Sequence, residues 1–236
     1  MSKFLKLFGI RPQEVKKTCV LLPYLPKGAL AGFGIKHLAR GKLYRSGNSQ
    51  NFTLIQTGIG AGFTGDAVLY LKETACRNLI LFGSCGLVKK RRGLDIGSLV
   101  APLKAYDYES FSRMLLEKGH KAKSFSADSG LARQLLRANP EILKVNCATL
   151  ASLKLEEERA ASLARQAVAV VDMECSAFFA AAKFLGVSAV ALFYVSDIIR
   201  VKPFYALDLW SKAKTFAAIK KSLAFLCRFI QEELSG

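Results

Sequence analysis

Short uninterrupted apolar runs alternate along the chain with longer segments whose apolar positions recur at helical spacing. The short runs are typical of buried strands, which are predicted at Thr18–Pro23, Phe52–Thr57, Asn78–Phe82, Ser98–Ala101, Val145–Ala151, Val168–Val171 and Ala189–Val195. The longer segments predict helices at about Thr64–Cys76, Asp128–Asn139, Glu156–Gln166, Cys175–Leu185 and Ser211–Leu234, with a weaker one at Lys27–Arg40. Strands that alternate with helices favour a mostly parallel sheet covered on both faces.

The remaining segments show neither the short apolar runs of strands nor the helical spacing of apolar residues. Residues 1–17 are predicted to be a basic N-terminal lead, Tyr106–Lys123 a loop or lid, and Lys202–Leu209 a connecting loop. Two glycine-rich segments, Gly58–Gly65 and Gly83–Gly86, are predicted to be turns at strand ends. Because no internal repeat, linker or low-complexity segment interrupts the alternation, we expect one domain over residues 1–236.

The composition is that of a globular protein. Hydrophobic residues make up 51% of the 236 positions, and no apolar run reaches the roughly 18 residues of a membrane span. The N-terminal MSKFLKLFGI has neither a signal-peptide core nor a cleavage site, so we expect a cytoplasmic protein with no membrane partner. The six cysteines are scattered without a C-x-x-C pair and there are two histidines, so neither disulfides nor a metal site is expected.

The formal net charge of +17 attracts anionic partners, including nucleic acid and phosphate-bearing substrates. The basic residues are scattered, however, and only Lys89–Arg92 (KKRR) form a run. No aromatic pattern or zinc-finger spacing typical of nucleic-acid-binding modules accompanies them. A solvated basic surface is therefore favoured over a nucleic-acid interface.

Gly60, Gly62 and Gly65 form a G-x-G-x-x-G pattern after a predicted strand. This pattern can bind a dinucleotide, but it also requires an acid at the end of the next strand, which here ends in LILFGSCG. An NAD(P)-binding protein is thus a minor alternative. The inference that remains is that both glycine turns can offer backbone N–H groups to an anion or a sugar.

Three acids follow buried strands in otherwise apolar surroundings: Asp172 and Glu174 after one strand, and Asp197 after the next. Ligands of open α/β sheets bind at the carboxyl ends of strands, where such carboxylates would meet. Buried carboxylates are costly unless they are paired or used, which favours a functional site. The alternative is structural, because acids are also favourable at the start of a helix.

Five segments, in order, resemble the nucleoside phosphorylase/nucleosidase family, which includes purine nucleoside phosphorylases, uridine phosphorylases and methylthioadenosine nucleosidases. They are TGIGAGFTGDAVLYL, NLILFGSCGLV, LDIGSLVAP, VVDMECSAFFAAAKFLGV and AVALFYVSD. The resemblance implies an α/β three-layer sandwich around a mixed, mostly parallel, barrel-like sheet. It also implies cleavage of the N-glycosidic bond of a purine-type nucleoside by phosphate or water, without a cofactor, in a homo-oligomer (dimer or hexamer).

The resemblance also implies roles for individual residues. Glu174 matches the glutamate that binds the ribose hydroxyls, and Met173 matches the methionine beneath the sugar. Ser196 and Asp197 match the pair whose aspartate protonates or hydrogen-bonds the leaving base. Residues expected near the base are Val171, Cys85 and Gly86, and those expected near the nucleophile or phosphate are Gly58, Gly60 and Ser84.

The chain departs from the family pattern on the nucleophile side. The loop LPYLPKGAL has Lys27 as its only cation, and Leu81 stands where phosphorylases carry an arginine. PYLPK also lacks the glutamate with which nucleosidases activate water, while Arg40 and Arg45 stay open as compensating cations. A base-stacking aromatic is expected from Tyr106, Tyr108 or Phe111. A family-fold protein that binds a nucleoside or a partner with little catalysis is the main alternative function.

Overall fold

The computed structural model describes residues 2–116 and 122–235. The strands of these residues are β1 (Thr18–Leu22), β2 (Ala39–Arg40), β3 (Arg45–Asn48), β4 (Thr53–Gln56), β5 (Asn78–Leu87), β6 (Leu99–Tyr108), β7 (Ser124–Ser126), β8 (Leu143–Leu150), β9 (Val170–Asp172) and β10 (Ser188–Ile198). The α-helices are α1 (Lys3–Phe8), α2 (Ala29–Gly32), α3 (Ala61–Tyr70), α4 (Phe111–Leu116), α5 (Ser129–Ala138), α6 (Leu153–Arg165), α7 (Cys175–Leu185) and α8 (Leu209–Glu233). Short 3-10 turns lie at Pro12–Glu14, Leu71–Glu73 and Phe204–Ala206.

Five strands close into a barrel at the centre of the sheet. Starting from β5, the hydrogen-bonded ring runs through β10, β6, β8 and β9 and returns to β5. Strands β1, β4, β3 and β2 extend the sheet beyond β5, and β7 pairs with β6. The two longest ladders, β5–β10 and β6–β8, are parallel, while β5–β9 and β6–β10 are antiparallel. The expected α/β fold with a mixed, barrel-like sheet is therefore confirmed.

Side-chain alternation along the sheet divides the core into layers, because successive residues of a strand point to opposite faces. In β1, Cys19 and Leu21 pack with Phe178 of α7, whereas Val20 and Leu22 pack with the layer formed by α2, α5 and α8. A third cluster lies between the barrel and α6. Helices therefore cover the sheet on both faces, as the alternation of strands and helices predicts.

The predicted turn at Gly83–Gly86 is wrong, because β5 continues through it to Leu87. The glycines permit close packing here: a Cβ added to Gly86 would lie 3.3 Å from side-chain atoms of both Val171 and Ile199. Gly86 thus lies in a crowded part of β5 that leaves little room for a side chain. Of the turn predicted at Gly58–Gly65, only Gly58–Gly60 is a turn, with positive φ at both glycines, because α3 begins at Ala61.

The loop predicted at Tyr106–Lys123 is also wrong over its first part. Strand β6 extends to Tyr108, and α4 follows at Phe111–Leu116. Residues 117–121 of that prediction lie outside the described residues. Strand β6 is long because its far half pairs with both β7 and β8, so its polar residues sit in a two-sided ladder and not in a loop.

Two N-terminal segments differ from their predictions. The first seventeen residues include α1, whose Phe4 and Phe8 are buried and stacked with ring centroids 4.2 Å apart. Of the predicted helix Lys27–Arg40, only Ala29–Gly32 is helical. Glycines at 28 and 34 adopt positive φ, which ends the helix on both sides. No α-helix within residues 2–116 and 122–235 is long and apolar enough to cross a membrane.

Candidate active site

A cavity of about 570 Å³ opens where β5 and β10 end, next to the C-terminus of β9 and the first turn of α7. Its volume is within the range of small-molecule sites. Most of the site residues predicted from the sequence line it: Ser84, Cys85, Gly86, Val171, Met173, Glu174, Ser196 and Asp197. The other two, Gly58 and Gly60, flank the lining residue Ile59.

A β-bulge in β10 sets the direction of the Ser196 and Asp197 side chains. Val195 pairs with Cys85 and Asp197 pairs with Gly86, so Ser196 is the extra residue between them. Successive residues of a regular strand point to opposite faces, and a bulge breaks this rule. Both side chains consequently line the cavity, and Ser196 Oγ donates to Asp197 Oδ1 at 2.6 Å.

Asp197 is a buried carboxyl that accepts few hydrogen bonds. Burial raises its pKa above the ordinary value, against the opposing effect of hydrogen bonds from Ser196 Oγ and the backbone of Phe204. A carboxyl with a raised pKa is more easily protonated near neutral pH and can act as a general acid. The Ser196 hydroxyl meanwhile fixes the carboxyl oxygen Oδ1 at the cavity wall.

Glu174 precedes the first residue of α7 and reaches across to the glycine turn. The Gly60 N–H donates to Glu174 Oε1 at 2.6 Å, although the two residues lie 114 positions apart in the chain. Burial and the neighbouring Asp172 charge raise the pKa of Glu174 to about 8. The Met173 backbone also hydrogen-bonds this carboxyl, so Glu174 is held in a fixed position at the cavity wall.

Asp172 has a structural task, in line with the alternative interpretation of the three acids. Its Oδ1 accepts bonds from Thr149 Oγ1 at 2.7 Å and Cys147 Sγ at 3.4 Å. Its Oδ2 accepts from the backbone N–H groups of Glu174 at 3.0 Å and Cys175 at 2.6 Å. This carboxyl thus ties β8 and β9 to the start of α7 and holds the backbone from which Glu174 projects.

Several lining residues are missing from the sequence-based site. Glu156 of α6 is buried at the cavity wall and is not among the site residues predicted from the sequence. A signal was available, because Glu156 continues the buried stripe of Ala160 and Leu163 at spacings of four and seven residues. The exposed acid Glu158 does not continue this stripe.

The aromatic residues of the cavity also differ from those expected. Tyr106, Tyr108 and Phe111 are absent from its lining. Tyr108 instead donates its hydroxyl to Gln166 at 2.6 Å. Aromatic side chains reach the cavity from the ends of β1 and β10 and from the 3-10 turn after β10: Tyr24, Phe193, Tyr194, Phe204 and Tyr205.

The cavity is lined by many acidic side chains and few basic ones. Five carboxyl side chains line it, namely Glu156, Glu157, Asp172, Glu174 and Asp197. Among the described residues of the lining, Arg200 is the one cation, and it adopts a positive φ of 66°. Arg40 and Arg45 lie outside the lining, and Leu81 is fully buried within β5. No cluster of cations that would hold a phosphate dianion is present in the described part of the cavity wall.

Titratable groups elsewhere do not form a metal centre. Within the described parts of the chain, no group of three or more His, Cys, Asp or Glu residues is arranged to hold a metal ion. The six cysteines are free thiols. Burial raises the pKa of the Cys85 thiol well above its ordinary value, so Cys85 presents a neutral surface to the cavity.

Comparison with known proteins shows where this architecture has been seen. A sequence model of the phosphorylase superfamily matches residues 12–230. No curated protein matches the chain by sequence.

Solved structures share the fold at low sequence identity. The uridine phosphorylase of Vibrio fischeri ES114 superposes with a TM-score of 0.74 at 15% identity, covering 93% of each chain. The 5′-methylthioadenosine/S-adenosyl homocysteine nucleosidase of Campylobacter jejuni gives 0.73 at 16% identity, covering 92% of this chain and 99% of that one. The purine nucleoside phosphorylase of Toxoplasma gondii, in complex with immucillin-H, gives 0.73 at 17% identity, covering 98% and 99%. These likenesses establish the fold and include both phosphorylases and a nucleosidase.

Proposed function

Because the chain belongs to the phosphorylase superfamily, we propose that it cleaves the N-glycosidic bond of a purine-type nucleoside with water as the acceptor. The observation that carries the proposal is the placement of Glu174 and Asp197 in one cavity, each oriented by hydrogen bonds from the protein. Glu174 binds the ribose hydroxyls, with Met173 beneath the sugar. Asp197, oriented by Ser196, protonates or hydrogen-bonds the departing base.

The electrostatics of the cavity suit this reaction. Glycosidic cleavage passes through an oxocarbenium-like state with positive charge on the sugar. The carbonyl or carboxylate oxygens of carboxyl groups fixed in a low-dielectric cavity stabilise that charge. The base then leaves more easily when Asp197 supplies a proton or a hydrogen bond. Val171, Cys85 and Gly86 provide the apolar wall against which the base lies.

The same electrostatics favour water over phosphate. A phosphate dianion would enter a cavity with five carboxyl side chains and Arg200 as the described cation. Phosphate sites ordinarily offer bidentate arginines or several backbone N–H groups. Here the Gly60 N–H is used by Glu174, which also removes a donor that a dinucleotide would need. Ser84, which lines the cavity, borders the space of the attacking water, and Gly58 lies next to the lining residue Ile59.

The proposal requires no resident cofactor, and its partners are the nucleoside and, through the family, further copies of the chain. We expect the protein to act in the cytoplasm. The run Lys89–Arg92 is exposed away from the cavity lining and has no part in the reaction.

A nucleoside panel tests the proposal. Adenosine, inosine, guanosine and uridine are each incubated with the protein, with and without inorganic phosphate, and chromatography quantifies free base, free ribose and ribose 1-phosphate. We expect phosphate-independent release of a purine together with free ribose. Release that depends on phosphate would replace hydrolysis by phosphorolysis. Absence of release from every nucleoside, with binding retained, would support a nucleoside-binding protein of the same fold.

A further inference from the structure

Glu109 is a partly buried acid that lies outside the cavity lining and is bonded to the helix that follows Glu174. It comes directly after β6, at the edge of the sheet where the parallel strands β8 and β9 also end. Its Oε1 accepts from Ser176 Oγ at 2.6 Å, and the Ala177 backbone also hydrogen-bonds the carboxyl. Both partners belong to the first turn of α7, which begins one residue after Glu174.

Acceptors from three neighbouring strands hold this first turn. Asp172 Oδ2 at the end of β9 accepts the Cys175 N–H at 2.6 Å, and Thr149 Oγ1 of β8 accepts the Ser176 N–H at 2.9 Å. The carboxyl that follows β6 is the third acceptor. The first N–H groups of an α-helix have no partner within the helix, so external acceptors determine where its first turn lies. They thereby also determine where the preceding residue, Glu174, projects.

Glu109 is fixed on its own side as well. Its N–H donates to Asp107 Oδ1 at 3.0 Å, at the point where the chain leaves β6. Helix α4 follows, and its buried Met114 packs in the cluster between the barrel and α6. Arg159 of α6 donates to the Met114 carbonyl. The segment that carries Glu109 is therefore anchored to the core on one side and to α7 on the other.

Charge provides a second connection between Glu109 and Glu174. Burial raises the pKa of Glu109 to about 7, and the charges of Asp107 in β6 and Asp172 in β9 act in the same direction. The hydrogen bond from Ser176 opposes this rise. The charge of Glu109 in turn contributes to the raised pKa of Glu174, because a nearby like charge disfavours ionisation. A change at Glu109 should therefore reach Glu174 both through the helix backbone and through charge.

We infer that Glu109 is a positioning residue that anchors the first turn of α7 and thereby fixes the Glu174 carboxyl in the cavity. The inference rests on the proposed function, because it takes Glu174 as the group that binds the ribose hydroxyls. Glu109 does not contact the substrate. Loss of its acceptor oxygens should weaken nucleoside binding, whereas Asp197 at the leaving base is left in place.

Steady-state cleavage of adenosine and inosine tests the positioning role. We expect Glu109→Ala to raise KM about 10-fold and to change kcat less, because binding of the sugar is affected more than departure of the base. Glu109→Gln keeps an acceptor oxygen for the donors of α7 and should retain a KM near that of wild type. Ser176→Ala removes one of the two bonds and should raise KM less than Glu109→Ala. The control is Glu158→Gln, since Glu158 is exposed and pairs with Lys154 on α6.

NMR of the glutamate carboxyl carbons gives a readout that does not depend on turnover. The Glu174 signal is identified by its loss in Glu174→Gln, and its pKa is measured by titration. This pKa should be lower in Glu109→Gln than in wild type, because a like charge has been removed, and it should be unchanged in Glu158→Gln.

Thermal melting of each variant verifies that it folds. If Glu109→Ala does not fold, the comparison of Glu109→Gln and Ser176→Ala with wild type decides the question. A Glu109→Ala variant that melts earlier but keeps the wild-type KM would overturn the inference, because its role would be structural only. A pKa of Glu174 that does not respond to Glu109→Gln would overturn it as well, even if nucleoside cleavage persists. If wild type cleaves no nucleoside, the proposed function fails and the NMR titration alone decides the inference.

Discussion

Asp172 offers a direct test of how the site is supported, because its carboxyl accepts from four donors, two side chains of β8 and two backbone N–H groups at the start of α7. Substitution by alanine leaves the buried N–H groups of Glu174 and Cys175 without an acceptor. A buried donor left unsatisfied costs about 1–3 kcal/mol. Removal of a buried charge that repels Glu174 returns part of this cost. We therefore expect a net loss of about 2–4 kcal/mol in the free energy of unfolding.

The control for this substitution is Asp128→Ala. Asp128 is an ordinary N-cap of α5, whose Oδ1 accepts the Leu131 N–H at 2.7 Å. Loss of such a cap costs about 1 kcal/mol. Asp172→Asn is the intermediate case, because the amide keeps one acceptor oxygen and directs its NH₂ group at the remaining donors.

Urea unfolding at pH 7, followed by circular dichroism, measures the free energy of unfolding of the three variants. The ΔΔG of Asp172→Ala corresponds to a fall in Tm of roughly 2–4 °C per kcal/mol for a chain of this size. Asp172→Ala should be the least stable and Asp128→Ala the most stable of the three. An Asp172→Ala variant that is no less stable than Asp128→Ala would refute the structural role given to this carboxyl.

Three further outcomes are expected. Asp197→Asn should lower the turnover number at least about 100-fold in a chromatographic assay of base release, and unchanged turnover would remove Asp197 from the mechanism. The pKa of Glu174 is raised to about 8, so between about pH 4.5 and pH 8 the folded state holds a proton that the unfolded state has released. The melting temperature should therefore fall as pH rises through this range, and it should fall less in Glu174→Gln. The exposed Leu209 and Trp210 at the start of α8 should lie at a subunit contact. Light scattering should therefore show a dimer or hexamer, and Trp210→Glu should weaken its assembly. A wild-type monomer would contradict this.

The sequence was sufficient for the parts of the fold that depend on local pattern. The apolar strand β9, the helix α7 and the acids between them follow directly from the run that begins at Val168. The N-terminal helix was missed because its lysines suggested a solvated lead, although Phe4 and Phe8 have the spacing of one helix face. Strand β5 was cut short because glycine is ordinarily a turn signal, and only the packing of Ile199 and Val171 shows why Gly86 is in a strand.

Other properties of the site depend on contacts between distant segments, which no local pattern contains. The bulge at Ser196 exists because β10 shifts its register against β5. The raised pKa of Glu156 depends on its burial and on the approach of α6 to acids from β9, β10 and the start of α7. These acids share one cavity because the barrel closes. The cavity cannot be read from the sequence, in which the acids lie far apart.

The bond between Gly60 and Glu174 gives the glycine turn a function that differs from anion binding. Gly60 has a φ of +115°, which a residue with a side chain rarely adopts, and this conformation directs its N–H at Glu174 Oε1. Gly60→Ala should therefore displace Glu174 and raise the KM for the nucleoside. The dependence of the cleavage rate on phosphate should not change. Gly62→Ala is the matched control, because Gly62 has open space around it and an ordinary helical φ. If Gly60→Ala altered only the response to phosphate, the turn would be an anion site and the hydrolytic assignment would have to be abandoned.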